Sequence, residues 1–189
     1  RHYYEILRDD CALTLYFDLE YRRKPLQTHT QWDEERKRAR SIVNILVDRC
    51  SRLFKALYGA TLCQEDVIEL ESSTASKFSR HLILHPRISG RRAMFRNIHH
   101  LGEFVIALYQ QLDHEREHNL PAAALWVRKD EEGDGVEGEE DVGEFVVDLG
   151  VYTRNRAFRL PYCSKYGKHT MLQPEAIMAK RMPDRDGFL

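Results

Sequence analysis

The stretch LTLYFDLEY, residues 13–21, decides how this chain is organised. It is an apolar, β-prone run that carries two acids, Asp18 and Glu20, two positions apart. Residues i and i+2 of a strand point to the same face, roughly 6.6 Å apart, so both carboxylates share one face while Phe17 and Leu19 share the other. The sequence therefore predicts a strand that presents a pair of acids.

An acidic pair on a central strand needs a cation beside it, because unpaired carboxylates are costly to bury. Mg²⁺ and Mn²⁺ prefer oxygen ligands, and paired carboxylates together with substrate phosphates commonly hold them. The alternative is a surface strand whose polar face carries two acids, since D-x-E is a short and common motif. The motif alone leaves both interpretations open.

The chain of 189 residues has the length of one ordinary domain. Eight acids and no bases lie in residues 130–141, DEEGDGVEGEED, and removing these eight negative charges changes the formal net charge from −1 to +7. We expect this run to be a flexible acidic loop. The basic remainder suits an anionic partner such as nucleic acid or a nucleotide.

The cysteines show neither C-x-x-C pairs nor zinc-ligand spacing: Cys11, Cys50, Cys63 and Cys163. We therefore expect reduced thiols in an intracellular compartment. No apolar run reaches about 18 residues and no signal-peptide pattern opens the chain, so we expect neither a membrane span nor secretion. The first residue is not Met, which suggests a fragment of a longer protein.

Apolar residues at three- and four-residue intervals predict two helices, one from Asp33 to Gly59 and one over residues 98–112. Strands are predicted at residues 1–7, 67–70, 77–85 and 144–152 in addition to the Asp18 strand. The first of these is expected to form a hairpin with the Asp18 strand. Helices interleaved with short strands predict an α/β or α+β domain with a mixed sheet. We expect a core over residues 1–170 and a polar tail over residues 171–189.

Asp148 lies in the apolar run 144–152, so three strand-borne carboxylates can converge on two divalent metals, as phosphoryl and nucleotidyl transfer requires. Charge on the phosphates must then be offset by cations at fixed positions. The candidate phosphate contacts are Lys77, His81, Arg159 and Lys165, with Ser79 as a neutral donor. Taken singly, each is also compatible with a surface or sheet-edge position. A Ser/His hydrolase is less well supported, because no G-x-S-x-G turn is present.

Three runs resemble the motifs of the archaeo-eukaryotic primase superfamily, and they are closest to its eukaryotic primase-polymerase (PrimPol) branch. The runs are LYFDLE at residues 15–20, SSTASKFSRHLI at residues 72–83, and VVDLGVYTRNRAFRL at residues 146–160 followed by SKYGK. The resemblance extends to about residue 168, and DLGVYTRNRAFRL is its most specific piece. It implies an α/β (α+β) catalytic core with an RRM-like antiparallel or mixed sheet, flanked by helices and a smaller N-terminal α/β element.

The resemblance also implies roles for individual residues. Asp18 and Glu20 match the metal ligands of the first motif, and Asp148 matches that of the third. Tyr4 corresponds to a tyrosine near the nucleotide sugar, although a half-buried strand tyrosine is its plain alternative, and Arg156 approaches the template strand. The implied contacts to the nucleotide triphosphate are Lys77, Ser79, His81, Arg159 and Lys165.

The implied activity is that of a DNA-directed primase and polymerase, which transfers nucleotides from (d)NTPs to a 3′-hydroxyl with two Mg²⁺ or Mn²⁺ ions. Its partners are template DNA, primer and nucleoside triphosphates, and we expect a monomer. Damage tolerance or repriming in the nucleus, the mitochondrion or both follows from the same resemblance. A metal-dependent nuclease and a non-catalytic nucleic-acid-binding module remain alternatives.

The sequence departs from the family pattern in several places. Ala157 stands where close vertebrate relatives carry Asn, and their long insertion before the third motif is reduced to the acidic run. The Cys/His zinc module that follows the core in the family, and the helix that precedes it, have no counterpart in this sequence. We therefore expect a core that extends primers but starts new chains poorly.

Overall fold

The computed structural model describes residues 2–118, 120–127 and 143–175, so the acidic run lies outside the described residues. Three helices are described, α1 His29–Tyr58, α2 Ile98–Arg116 and α3 Leu120–Ala123. The strands are β1 Tyr4–Leu7, β2 Leu15–Arg22, β3 Val67–Glu71, β4 Lys77–Leu84, β5 Arg87–Ile88, β6 Arg91–Arg92, β7 Trp126–Val127, β8 Glu144–Phe145, β9 Arg156–Arg159 and β10 Gln173–Pro174. All strand pairs are antiparallel, which together with the helices confirms the predicted α+β class.

The central sheet has the strand order β10-β3-β4-β2. On β2 the alternation read from the sequence is present: Leu15, Phe17 and Leu19 are fully buried and join one apolar core with the buried sides of α1 and α2. Asp18 and Glu20 therefore face away from that core. Because a strand alternates its side chains, burying Phe17 and Leu19 fixes where both acids point.

The helix α1 begins four residues earlier than the sequence predicted. Thr28 is its N-cap, and Thr28 and Gln31 form a reciprocal capping box that satisfies backbone N–H groups of the first turn. The helix ends at Gly59, whose φ of 63° is the left-handed conformation that a glycine tolerates best. None of the helices in the described ranges is long and apolar enough to cross a membrane.

The predicted hairpin between residues 1–7 and the Asp18 strand was wrong. β1 pairs instead with β9, with Tyr4 opposite Arg159. The strand β2 has no edge left for β1, because β4 occupies one edge and residues 146–148 occupy the other. The strand that pairs with β1 thus lies about 150 residues further along the chain, a sequence separation that local patterns do not encode.

Two further predictions differ from the structure near the end of the chain. The strand expected over residues 144–152 stops early, because the Asp148 side chain accepts a hydrogen bond from Gly150 N at 2.8 Å and caps a 3₁₀ turn, Leu149–Val151. Gln173 and Pro174, which were expected to belong to the polar tail, form β10, and this strand pairs with the edge of β3. All four cysteines are free thiols.

Candidate active site

Two of the three predicted carboxylates, Asp18 and Glu20, lie on β2, and Asp148 lies in the segment that borders this strand. Val147 pairs with Leu19 of β2 in an antiparallel bridge, and Asp148 N donates a hydrogen bond to Asp18 O at 2.9 Å. On the other side of β2, Asp18 is opposite His81 of β4. Directly opposite residues of antiparallel strands share a face, so Asp148, Asp18 and His81 form one row across the sheet. The structure therefore places Asp148 opposite Asp18.

Asp18 is the most buried of these acids, with 14% of its side chain exposed. Its Oδ1 atom has no hydrogen-bond partner, and the nearest cation candidate, His81 Nε2, lies 3.6 Å away. Burial raises the pKa of Asp18 to about 6, and the negative charges of Glu20 and Asp148 act in the same direction against Lys165 and Lys77. The cluster thus holds an excess of negative charge around a buried, unpaired oxygen.

The other two carboxylates have partners. Lys77 Nζ donates a hydrogen bond to Glu20 Oε2 at 2.6 Å, and Asp148 accepts from Gly150 N. Within the described ranges, no three His, Cys, Asp or Glu side chains stand in a metal-binding arrangement. The donor set nevertheless fits a hard divalent cation, because carboxylate oxygens are the ligands such ions prefer and the Oδ1 atom of Asp18 is unpaired.

A hydrogen-bonded chain of polar groups lies next to the carboxylates. Arg159 donates through NH2 to Ser72 Oγ at 2.7 Å, and Ser72 Oγ lies 3.1 Å from Ser79 Oγ. Arg159 is only 5% exposed and its Nε atom has no partner. Burial lowers the pKa of Arg159 below its usual value, but a guanidinium stays charged in proteins. A buried cation with two adjacent hydroxyls is a suitable cradle for a phosphate.

His81 differs from the sequence expectation, which counted it among the cations. Burial lowers its pKa to about 3, assisted by the positive charges of Arg159, Lys165 and Lys77. Its ring packs on Phe158 with centroids 4.6 Å apart, and its Nδ1 atom has no partner. The imidazole is therefore neutral at pH 7, and it can offer a phosphate one N–H donor but no charge.

The buried state of His81 predicts a measurable pH dependence. In the unfolded chain a histidine has a pKa near 6.5, so below that pH the unfolded state binds a proton that folded His81 does not. His81 thus lowers stability progressively as the pH falls from about 6.5 towards about 3. As the pH falls across this window, we expect the free energy of unfolding of His81→Asn to decrease less than that of wild type.

Urea unfolding at several pH values between about 4.5 and 7.5 measures the effect. Protonation of Asp18, whose pKa is raised, stabilises the fold as the pH falls through the same range in both proteins. The effect of His81 is therefore the difference in unfolding free energy between variant and wild type at each pH. His29→Asn, at the exposed first residue of α1, is the matched control. Parallel pH profiles for wild type and His81→Asn would contradict the prediction.

The remaining predicted site residues surround this row. Tyr4 is paired with Arg159 across β1 and β9 and is 38% exposed. Lys165 lies in the exposed loop after β9, and its charge acts on both Asp18 and His81. Arg156 begins β9, and its positive charge acts on Tyr16. All the residues chosen from the sequence therefore lie on or beside the two sheets that meet at Asp18.

No protein-family model matches the chain. A DNA-directed primase/polymerase protein of Danio rerio is 32% identical over 183 aligned positions, which cover 89% of this chain and 33% of that protein. The chain is a homologue of the DNA-directed primase/polymerase proteins. The Mus musculus protein of the same name is 30% identical over 91% of this chain and 35% of its own length. The Homo sapiens protein is 28% identical over 91% of this chain and 37% of its own length. The chain thus spans about a third of these primase/polymerase relatives.

In this primase/polymerase homologue the structure adds site residues that sequence reasoning missed. Ser72 lies inside the second motif run, but its position depends on a fold-back in which Ser72 N donates to Ser79 O at 3.0 Å. Tyr16 and Tyr152 are further additions. Tyr16 stands two positions before Asp18 on the same strand face, and this spacing was the only signal in the sequence that could have pointed to it.

Tyr16 and Tyr152 each donate a hydrogen bond to a backbone carbonyl in the other's segment, an arrangement that we call the tyrosine clasp. Tyr16 Oη donates to Val151 O at 2.9 Å, and Tyr152 Oη donates to Tyr16 O at 2.9 Å. Their ring centroids are 5.3 Å apart. One half of the clasp precedes Asp18 and the other follows Asp148. The clasp therefore ties together the two segments that carry these carboxylates.

We expect Tyr152→Phe to loosen Asp148 relative to Asp18. Loss of one buried hydrogen bond costs about 1 kcal/mol of unfolding free energy. If the clasp positions the carboxylates, the Mn²⁺ concentration for half-maximal activity also rises several-fold, which a titration at saturating nucleotide measures. Tyr166→Phe, at a side chain that is 87% exposed, is the control. An unchanged Mn²⁺ requirement would leave the clasp with a purely structural role.

Proposed function

We propose that this chain is the catalytic core of a DNA-directed primase and polymerase. The observation that carries the proposal is the position of Asp148 beside Asp18, with the Arg159, Ser72 and Ser79 chain next to them. Three carboxylates adjacent to a phosphate cradle suit nucleotidyl transfer, in which charge on a triphosphate must be held and offset. Homology to the primase/polymerase proteins supports the same reaction.

Asp18, Glu20 and Asp148 would hold two Mg²⁺ or Mn²⁺ ions. Bound ions supply the chemistry that carboxylates lack: they lower the pKa of a primer hydroxyl and offset charge on the departing pyrophosphate. Glu20 contacts Lys77 through Oε2 and would bind a cation through Oε1, which keeps the ammonium group of Lys77 at the edge of the site. The raised pKa of Asp18 indicates that a cation at this place is electrostatically favoured.

The nucleotide is held by residues on two strands, β4 and β9, and on one loop. Arg159 supplies a buried positive charge, and Ser79 and His81 supply neutral donors to phosphate oxygens. Lys77 and Lys165 add charge from the more exposed rim of the site. In the proposed reaction the 3′-oxygen of the primer bonds to the α-phosphorus as the bond to pyrophosphate breaks.

Further contacts complete the proposed assignment. Tyr4, opposite Arg159 on β1, would contact the nucleotide sugar, and Arg156, at the start of β9, would approach the template. We propose that the protein acts as a monomer in repriming or damage tolerance, in the nucleus, the mitochondrion or both.

A primer-extension assay tests the proposed function. The protein is incubated with a 5′-labelled primer annealed to a longer template, with Mn²⁺ or Mg²⁺ and nucleoside triphosphates. Longer products that require both metal and triphosphate support the polymerase. Shorter products without triphosphate would indicate a nuclease, and salt-dependent DNA binding without any change in length would indicate a binding module. Either of these two results would overturn the proposal.

A further inference from the structure

A cleft of about 1040 Å³ lies beside the carboxylates. Glu20, Asp148 and Lys77 line it, together with Val147 of the segment that borders β2. Its walls continue along the loop that follows β2 and along β8. The cleft is therefore continuous with the proposed reaction centre, but it is not formed by Arg159, Ser72 or Ser79.

The proposed reaction determines the side from which the attacking hydroxyl must approach the α-phosphorus. In nucleotidyl transfer the attacking and leaving oxygens lie roughly in line on opposite sides of the α-phosphorus. The triphosphate contacts Ser79 and Arg159 lie over β4 and β9, on one side of Asp18. The attacking hydroxyl must then approach from the other side, where residues 146–148 border β2. That is the side on which the cleft opens.

Arg22 provides a positive charge in the cleft, next to Glu20 on the same strand. Arg22 follows Glu20 by two positions on β2, so it shares the strand face of Glu20 at a distance of roughly 6.6 Å along the strand. It is opposite Lys77 in the β2 and β4 register and is exposed. Among the residues that the structure describes, its guanidinium has neither a hydrogen bond nor an ion pair. An exposed cation at this distance suits the phosphodiester next to a terminal nucleotide.

The opposite wall of the cleft is aromatic. Tyr109 of α2 and Phe145 of β8 both line it, with ring centroids 5.2 Å apart. Both side chains are partly exposed. Aromatic faces beside a cation are a common arrangement for a single nucleic-acid strand, because every base can stack on them whatever its identity. The cleft therefore offers a cation for a phosphate and aromatic rings for a base, on the side from which the attacking hydroxyl must approach.

We propose that this cleft binds the 3′ end of the primer strand, with Arg22 on its last phosphodiester and with Tyr109 and Phe145 beside the terminal nucleotide. The assignment rests on the proposed polymerase function, because it uses the direction of nucleotidyl transfer. It concerns the primer rather than the template, since the cleft is lined by Glu20 and Asp148, beside which the attacking hydroxyl must lie.

Arg22→Ala tests this assignment. We expect the KM for a primer–template to rise about tenfold, as for loss of one charge-assisted contact, with the KM for nucleoside triphosphate and the thermal stability unchanged. The salt dependence of DNA binding, measured by fluorescence anisotropy, becomes shallower by about one phosphate contact. Arg52→Ala removes an exposed arginine of α1 that does not line the cleft, and it is the control.

Three comparisons decide the outcome. If wild type extends primers and Arg22→Ala shows the same KM for the primer–template, the primer assignment is overturned. If Arg22→Ala weakens binding to the template strand alone as much as to the annealed primer–template, the cleft holds the template and the assignment is again overturned. If wild type extends nothing but still binds a primer 3′ end through Arg22, the proposed polymerase function fails and the binding assignment stands.

Discussion

Asp18→Asn is expected to abolish nucleotide incorporation and, at the same time, to make the fold more stable at neutral pH. Activity is lost because an amide cannot replace a carboxylate in holding a divalent cation. Stability rises because the wild-type acid is buried, has an unpaired Oδ1 atom and lies near Glu20 and Asp148. The two effects have one cause, which is a negative charge that the folded protein alone does not neutralise.

The sign and size of the stability change follow from the pKa of Asp18. Because that pKa is raised from 3.8 to about 6, the folded state binds a proton more tightly than the unfolded state does. Ionised Asp18 therefore destabilises the fold above about pH 6, and this cost disappears as the pH falls towards 3.8. A difference of about two pH units corresponds to about 3 kcal/mol, which is the upper limit of the expected gain.

Urea unfolding at about pH 7.5 and about pH 4.5, together with primer extension in Mn²⁺, measures both effects. The gain in stability should be present at the higher pH and small at the lower one. Asp33→Asn is the control, because Asp33 is exposed on α1 in an ion pair with Arg36. It should keep its activity and gain no stability. An active Asp18→Asn variant would remove the proposed mechanism.

Arg159→Ala is expected to have the largest effect on nucleotide binding. Arg159 is a buried cation with an unpaired Nε atom, and its NH2 group is tied to Ser72 rather than to an acid. A triphosphate therefore gains a charge-assisted contact without breaking an ion pair. Such contacts are worth about 1.5–3 kcal/mol, so the KM for nucleoside triphosphate should rise roughly 10- to 150-fold.

Steady-state primer extension at saturating DNA measures this KM, and direct binding of inorganic tripolyphosphate, measured by calorimetry, provides a second measurement that does not depend on turnover of the variant. Arg159→Lys keeps the charge but not the second donor, so it should fall between wild type and Arg159→Ala. Arg154→Ala removes an exposed arginine on the turn before β9, which is paired with Asp9, and should behave as wild type. Equal tripolyphosphate binding by all variants would exclude Arg159 from the phosphate site.

Much of the local structure could be predicted because its cause lies within short stretches of sequence. The alternation around Asp18 sets β2, and the three- and four-residue spacing of apolar residues sets α1 and α2. The start of α1 was misplaced, since the reciprocal Thr28 and Gln31 cap was not considered. These features depend on the period of side-chain burial, which a strand or helix imposes on its own residues.

The site was only partly predictable for a different reason. The carboxylates and the basic residues could be chosen from residue type and motif, but the charge of His81 could not, because it depends on burial beneath Phe158 and on nearby cations. The role of Ser72 depends on a fold-back that motif spacing does not show. Protonation and hydrogen bonding are properties of an environment, and chain segments far apart in sequence build that environment.

By itself, the sequence determined the two long helices, the acidic strand β2 and the set of residues suited to metal and phosphate. Only the tertiary structure decided that β1 pairs with β9, that the segment carrying Asp148 ends in a turn, and that this segment occupies the free edge of β2. The physical reason is that strand pairing is non-local: any edge with the right pattern can pair, and the competition among edges is settled by packing of the whole chain. The pair of acids at Asp18 and Glu20 acquires its third carboxylate through that competition.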